Sequence, residues 1–277
     1  MSPYRIIPFP RPLALAFSLV LSGPAVLSAQ QLNPFDEAQP VEDPLPLAIG
    51  NAWTYIGEVW WAPPNGRTVY RENVKWTMEI TDMVERDGLR AAVLKGHPQD
   101  LMLYEEGREQ GDYLLIATDS GKYYLLDGER AEAALDQVRD LDNPLIDLVD
   151  EPDLMLDLPL FVGKRFCSAK QLLRPDKLNC WTVSDEQITT LPGIAGVIAT
   201  GETTAYVLTH RTSSNHAIWN FVPGVGFTSF SFGTRGEPSA VELLLHKVEL
   251  QTEADDSIAR DENPEESVTG PTSGPPQ

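Results

Sequence analysis

One short pattern occurs twice in this chain, and it restricts the fold more than any other feature. Pro46-Leu47-Ala48-Ile49-Gly50-Asn51-Ala52-Trp53 aligns without gaps on Pro159-Leu160-Phe161-Val162-Gly163-Lys164-Arg165-Phe166. Downstream, Trp76-Thr77-Met78 matches Trp181-Thr182-Val183. The step from Trp76 to Gly88 equals that from Trp181 to Gly193, and the steps onward to Gly121 and Gly226 are also equal. Matches that keep their order and spacing point to a repeated structural unit. One copy covers 44–127, the second 157–250, and 128–156 links them. Whether they share one sheet or form two domains is left open at this stage.

Each copy reads as strands. An aromatic-rich run, Trp53 to Trp61, ends at Pro63-Pro64-Asn65-Gly66, a turn signal. The next run puts Val74, Trp76, Met78 and Ile80 on one face, the period-two pattern of a half-buried strand. Further strands are expected at Leu101–Tyr104, Tyr113–Ala117 and Tyr123–Leu126. In the second copy they fall at Cys180–Val183, Ala205–Thr209, Ile218–Val222, Phe227–Phe232 and Val241–Leu250. Many short strands with frequent turn residues predict an all-β, mainly antiparallel fold, a sandwich or an open half-barrel. In the linker, Ala131, Ala134, Leu135, Val138 and Leu141 recur at helical spacing, which predicts one amphipathic helix over Glu129–Leu141. Asn143-Pro144 suits the start of a second short helix.

The ends of the chain indicate export. Arg5 and Arg11 precede an apolar run from Leu13 to Leu21, and Leu27-Ser28-Ala29 leads into Gln30. That order reads as a secretory signal over 1–29, cleaved after Ala29 or, alternatively, Ala25. Gln30 stands where a lipid-bearing cysteine would have to be, and no other stretch is long and apolar enough to span a bilayer. A soluble periplasmic or secreted protein is therefore expected. Residues 30–43 read as a flexible segment. The tail over 251–277 is acidic, rich in Pro and Gly, and reads as disordered.

Export gives the two cysteines their meaning. Cys167 and Cys180 are the only pair in the chain, and in an oxidising compartment such a pair reads as a disulfide. If the copies correspond, Thr54 and Lys75 should be neighbours across paired strands, as the counterparts of the cysteines. Of the formal net charge of −20, about −9 lies between Asp127 and Asp157 and about −6 beyond Gln251. The acidic balance excludes a nucleic-acid partner, which needs a basic surface.

The Pro-Leu-x-x-Gly-x-x-Trp opening, Cys180-Trp181 and Val222-Pro223-Gly224-Val225-Gly226-Phe227 resemble segments of uncharacterised exported bacterial proteins. The resemblance covers most of 44–250 and implies a bacterial periplasm, but lends no catalytic residue. A weaker likeness, to the lipoprotein-sorting half-barrel, implies an apolar groove.

Motifs for chemistry are sparse. His97, His210, His216 and His246 form no H-x-x-x-H or H-E-x-x-H pattern, and no D-x-[DN]-x-[DN]-G loop is present, so no metal is expected. Ser213 and Ser214 lack a G-x-S-x-G context, and Gly224 and Gly226 lack nucleotide-loop spacing, so neither a catalytic residue nor a cofactor is assigned. Trp60-Trp61 and Tyr123-Tyr124 are consecutive aromatics in strands, so each pair projects a large ring from both faces of a sheet. Either the second face is covered, or these four residues line a groove for an apolar ligand. The expected role is a non-catalytic binding or carrier module. The alternative is an envelope structural or protein-interaction role.

Overall fold

The computed structural model describes residues 43–63, 68–191, 194–196, 201–236 and 239–251, which lie in one compact unit. The expected signal, nearly all of the 30–43 segment, the acidic tail beyond Gln251, Gly193 and most of the Pro63–Gly66 turn lie outside the described residues. No described helix is long and apolar enough to cross a membrane.

Twelve strands form one antiparallel sheet: β1 (Ala52–Trp61), β2 (Tyr70–Arg86), β3 (Leu89–Lys95), β4 (Asp112–Thr118), β5 (Lys122–Asp127), β6 (Leu154–Asp157), β7 (Arg165–Phe166), β8 (Trp181–Thr189), β9 (Thr203–Arg211), β10 (Asn215–Val222), β11 (Gly226–Thr234) and β12 (Ala240–Glu249). Their order is β6-β5-β4-β3-β2-β1-β12-β11-β10-β9-β8-β7. Each half of the chain is thus a six-strand meander in the same order, and β1 joins the halves by pairing with β12 from Ala52↔Glu249 to Trp60↔Ala240. The sheet curls into a nearly closed barrel. A shared sheet with one interior replaces the sandwich alternative.

Period-two alternation explains the curl. Trp76, Met78 and Ile80 of β2 are buried, as are Val241, Leu243, Leu245 and Val248 of β12, while Glu242, Leu244 and His246 between them are exposed. One face of nearly every strand therefore faces one core, and burying each large side chain is worth roughly 1.5–3 kcal/mol. Polar tips in that core find backbone partners across it. Trp53 Nε1 donates to the Val225 carbonyl at 2.6 Å, and Tyr55 Oη donates to the Phe227 carbonyl at 3.0 Å. Leu191 is buried at the start of the β8–β9 connection, which folds back to β12 where Ala195 N–H reaches the His246 carbonyl at 3.3 Å.

The stretch expected as a strand at Leu101–Tyr104 is instead a 3-10 helix over Pro98–Leu103. Pro98 cannot donate to a ladder, and the His97 carbonyl accepts from Asp100 N–H at 3.0 Å. This helix crosses the inner face, with Leu101 buried against the core. His97 lies with its ring centroid 5.2 Å from Tyr113 and 5.5 Å from Trp219.

On the outer face, α1 (Gly128–Arg139) packs Ala131, Ala134 and Val138 onto Ala91, Leu114, Ile116 and Leu126. The expected helix is shorter than its apolar pattern. It ends at Arg139, and Leu141 is 78% exposed. The second helix expected at Asn143-Pro144 does not form. Carbonyls 137, 140, 141 and 143 accept from the Arg86 guanidinium, and those of Pro144 and Ile146 accept from Gln137 Nε2. Side chains thus supply the partners a helix would have given. A single 3-10 turn, Glu151–Asp153, then leads into β6.

The two Pro-Leu-x-x-Gly segments form the same turn. Gly50 and Gly163 have φ of 86° and 89°, and the amides of Asn51 and Lys164 each reach a carbonyl three residues back at 3.0 Å. Thr54 stands opposite Thr77, however, and Lys75 opposite Ile56, so the pair expected as neighbours is two positions out of direct opposition. In the second half Phe166 faces Trp181, which brings the next residues together as the Cys167–Cys180 disulfide, Cα–Cα 4.9 Å. A slip of two keeps every side chain on its own face, so Trp76 and Trp181 both still point inward.

Candidate functional site

The halves meet twice, and the two junctions differ. At one, β1 and β12 are zipped along their length. At the other, β6 and β7 share no ladder among the described residues. They are tied at one end only, where Lys164 Nζ donates to the carbonyls of Asp157 and Pro159 and lies 3.3 Å from Asp157 Oδ1. Local sequence shortens β7. After Phe166 the chain turns through the disulfide into α2 (Ala169–Leu172), capped by Ser168 Oγ accepting from Gln171 N–H and Gln171 Oε1 accepting from Ser168 N–H, both at 3.3 Å. That capping box fixes a helix start where a strand would otherwise continue.

Away from the Lys164 tie the edges leave two clefts on either side of Trp181. One, about 190 Å³, is lined by Tyr113, Leu125, Leu126, Asp127, Asp153 and Met155 among others. The second, about 220 Å³, includes Glu151, Phe166, Cys167, Gln171, Asn179 and His210. Both contain Pro152, Leu154 and Trp181. Each is somewhat smaller than small-molecule sites usually are, roughly 300–1,000 Å³.

Trp181 is half-buried, with ring centroids of Phe166 at 6.5 Å and His210 at 5.0 Å. Burial lowers the His210 pKa and favours the neutral imidazole. Tyr113 Oη donates to Asp100 Oδ1 at 2.9 Å, and burial together with that carboxylate raises the phenol's pKa. Asp100 is itself buried, accepting from Gly111 N–H at 2.9 Å and lying 3.5 Å from Arg108. Arg130 grips Asp153 with two bonds of 2.7 and 2.6 Å.

The barrel interior offers little room. A cavity beneath His97, walled by Leu45, Leu47, Trp53, Leu115 and Phe227, holds about 10 Å³ open to a water-sized sphere, space for about one water. Among the described residues no group of His, Cys, Asp and Glu is arranged to hold a metal.

The four aromatics singled out in the sequence lie elsewhere. Trp60 has the Arg71 guanidinium 5.1 Å from its ring centre. Trp61 stacks on Tyr70 at 4.9 Å and meets Tyr104 edge-on at 6.2 Å. Tyr123 is buried in the barrel core, and Tyr124 on the opposite face packs in the layer under α1. β1 and β5 are separated by three strands, so the pairs are not brought together, and neither pair lines the Trp181 clefts. The sequence signal for Trp181 was its place beside Cys180. What makes it a cleft wall is the missing β6–β7 ladder, and the local signal that could have pointed to it is the Ser168–Gln171 capping box that ends β7.

No protein-family model matches the chain, and no curated protein sequence does. Two solved structures overlay on it. One is a protein from Bacteroides fragilis described as exported, with a YmcC-like fold: 12% identity, 75% of this chain, 99% of that chain, TM-score 0.36. The other, from Parabacteroides distasonis, is described as a lipoprotein: 10% identity, 75% of this chain, 98% of that one, TM-score 0.32. At such scores the fold rests on this chain's own strand order.

Proposed function

We propose that this chain is a non-catalytic binding or carrier module of the bacterial periplasm, holding a small apolar molecule in the cleft around Trp181. The observation that supports it is the unzipped β6–β7 junction, which leaves the half-buried Trp181 indole lining a concave opening in an otherwise packed barrel. Export through the leader over 1–29 and a tandem origin of the two six-strand halves belong to the same reading. The test is native mass spectrometry of protein prepared from periplasm without detergent. A bound molecule should appear and should be lost in Trp181→Ala. Apoprotein that also leaves its tryptophan fluorescence unchanged across a panel of lipophilic probes would refute the reading.

A second reading, protein interaction in the envelope, is favoured by one feature. Beyond Val183, β8 pairs with β9 on one side and, among the described residues, with no strand on the other; Ile188 there is 66% exposed. Such an edge can accept a partner strand. Crosslinking from Glu186 to a single envelope protein, with an empty Trp181 cleft, would favour it.

A further inference from the structure

Among the described residues, the one side chain that the Arg165 guanidinium meets as a donor is a sulfur atom. Arg165 opens β7 and is half-buried. Its Nη2 lies 3.6 Å from Cys180 Sγ, and its Nε is buried with no hydrogen-bond partner. No described carboxylate pairs with it. A buried donor left unpaired costs free energy, and sulfur in a disulfide is a weak acceptor at best. A thiolate on Cys180 would give this guanidinium the negative partner it lacks, and nearby arginine is one of the groups that stabilise a thiolate.

The two sulfurs also differ in access. Cys180 is buried, whereas Cys167 is half-buried and lines the cleft of about 220 Å³, which Cys180 does not. A small thiol entering beside Phe166 and Gln171 therefore reaches Cys167 Sγ first. We propose that Cys167 is a thiol-exchange site, which takes up a small-molecule thiol as a mixed disulfide and leaves Cys180 as a thiolate beside Arg165. The incoming thiol loses its proton to solvent, and its sulfur forms the new bond to Cys167 Sγ. The Cys167–Cys180 bond breaks, and its electron pair stays on Cys180 Sγ. One disulfide replaces another, so no oxidant or reductant is consumed. Attack in the opposite sense would have to reach the buried sulfur, and it would leave the thiolate on Cys167, which makes no contact with the guanidinium. This role is separate from the apolar ligand proposed above and stands without it.

The test exposes full-length oxidised protein briefly to 2-mercaptoethanol, quenches with acid and maps the adduct by peptide mass spectrometry. The adduct should sit on Cys167, with Cys180 free. An adduct carried by Cys180, or shared equally, overturns the assignment. So does a disulfide that reacts only after urea is added. A second measurement reads the leaving sulfur directly. In Cys167→Ser, the ultraviolet absorbance of the thiolate should show Cys180 titrating below the roughly 8.5 of a free cysteine. Burial alone would move it upward, so a midpoint at or above that value overturns the part given to Arg165. Arg165→Met removes the charge and keeps the bulk. It should raise the midpoint and slow adduct formation on the wild-type disulfide roughly three- to tenfold, because a less acidic thiol is a poorer leaving group. Arg165→Lys should restore most of both. An Arg165→Met protein that forms the adduct at the wild-type rate would leave the guanidinium a structural role only.

Discussion

Arg86 sits at the end of β2 with its side chain only 10% exposed, and its guanidinium donates to the carbonyls of Gln137, Asp140, Leu141 and Asn143. Those carbonyls lie in and just beyond the last turn of α1, where acceptors lack intrahelical partners and the dipole favours a cation. Arg86→Ala should cost about 2 kcal/mol, read as a lower urea midpoint, with Arg86→Lys recovering only part of it because one ammonium cannot reach all four acceptors. His97 sets a pH dependence. Burial lowers its pKa from 6.5 to about 3, so the folded chain keeps the imidazole neutral while the unfolded chain protonates it. Its contribution is present above about pH 6.5 and lost as pH falls toward 3, at up to about 1.4 kcal/mol per unit. Urea midpoints at pH 7, 5 and 4 should fall in sequence, and His97→Phe should flatten the slope. An unchanged slope in that variant would assign the dependence to other groups.

Among the elements, β1 is the most constrained, because it carries the zipped junction between the halves. Gly57 lies against β12 so closely that a Cβ there would overlap the Glu242 carbonyl. Gly57→Ala should therefore destabilise by roughly 1–3 kcal/mol, the usual range for overpacking, with the loss visible in thermal melts. β7 shows the opposite economy: two residues held to β8 by Phe166↔Trp181 and by the disulfide that follows. Replacing both cysteines with serine should remove about 3 kcal/mol in the loop-entropy picture. The same change should loosen the Trp181 cleft, since Cys167 lines it. Faster hydrogen exchange confined to β7 and α2 is the expected signature.

At the scale of the molecule, one continuous sheet around one core implies one cooperative transition. Far- and near-ultraviolet circular dichroism should give coincident melting curves. Two separated steps, one per half, would show that the β1–β12 junction does not couple them. The alternation of Trp76, Met78 and Ile80, the β10–β12 runs and the core of the linker helix are legible in sequence because each is decided within one element, by side-chain period against a single buried face. The disulfide is legible for a related reason, since two cysteines in a chain whose start reads as a secretory signal leave one pairing. Leu101–Tyr104, expected as a strand, is not one because Leu101, Met102 and Tyr104 are satisfied by the barrel interior, a surface supplied by distant residues such as Trp219. Leu141 fitted the helical stripe, but Arg86, more than fifty positions earlier in the chain, binds its carbonyl and ends the helix before it. The two-residue slip between the halves is likewise invisible locally, because register is fixed by which strands meet, and a shift of two leaves the inward pattern unchanged. The sequence by itself thus determined many of the strands and which of their faces turn inward, since local period and composition suffice for those. Only the tertiary structure decided that the halves share one barrel and that Trp181 rather than Trp60, Trp61, Tyr123 or Tyr124 lines its opening, because closure depends on β1 finding β12 from the far end of the chain.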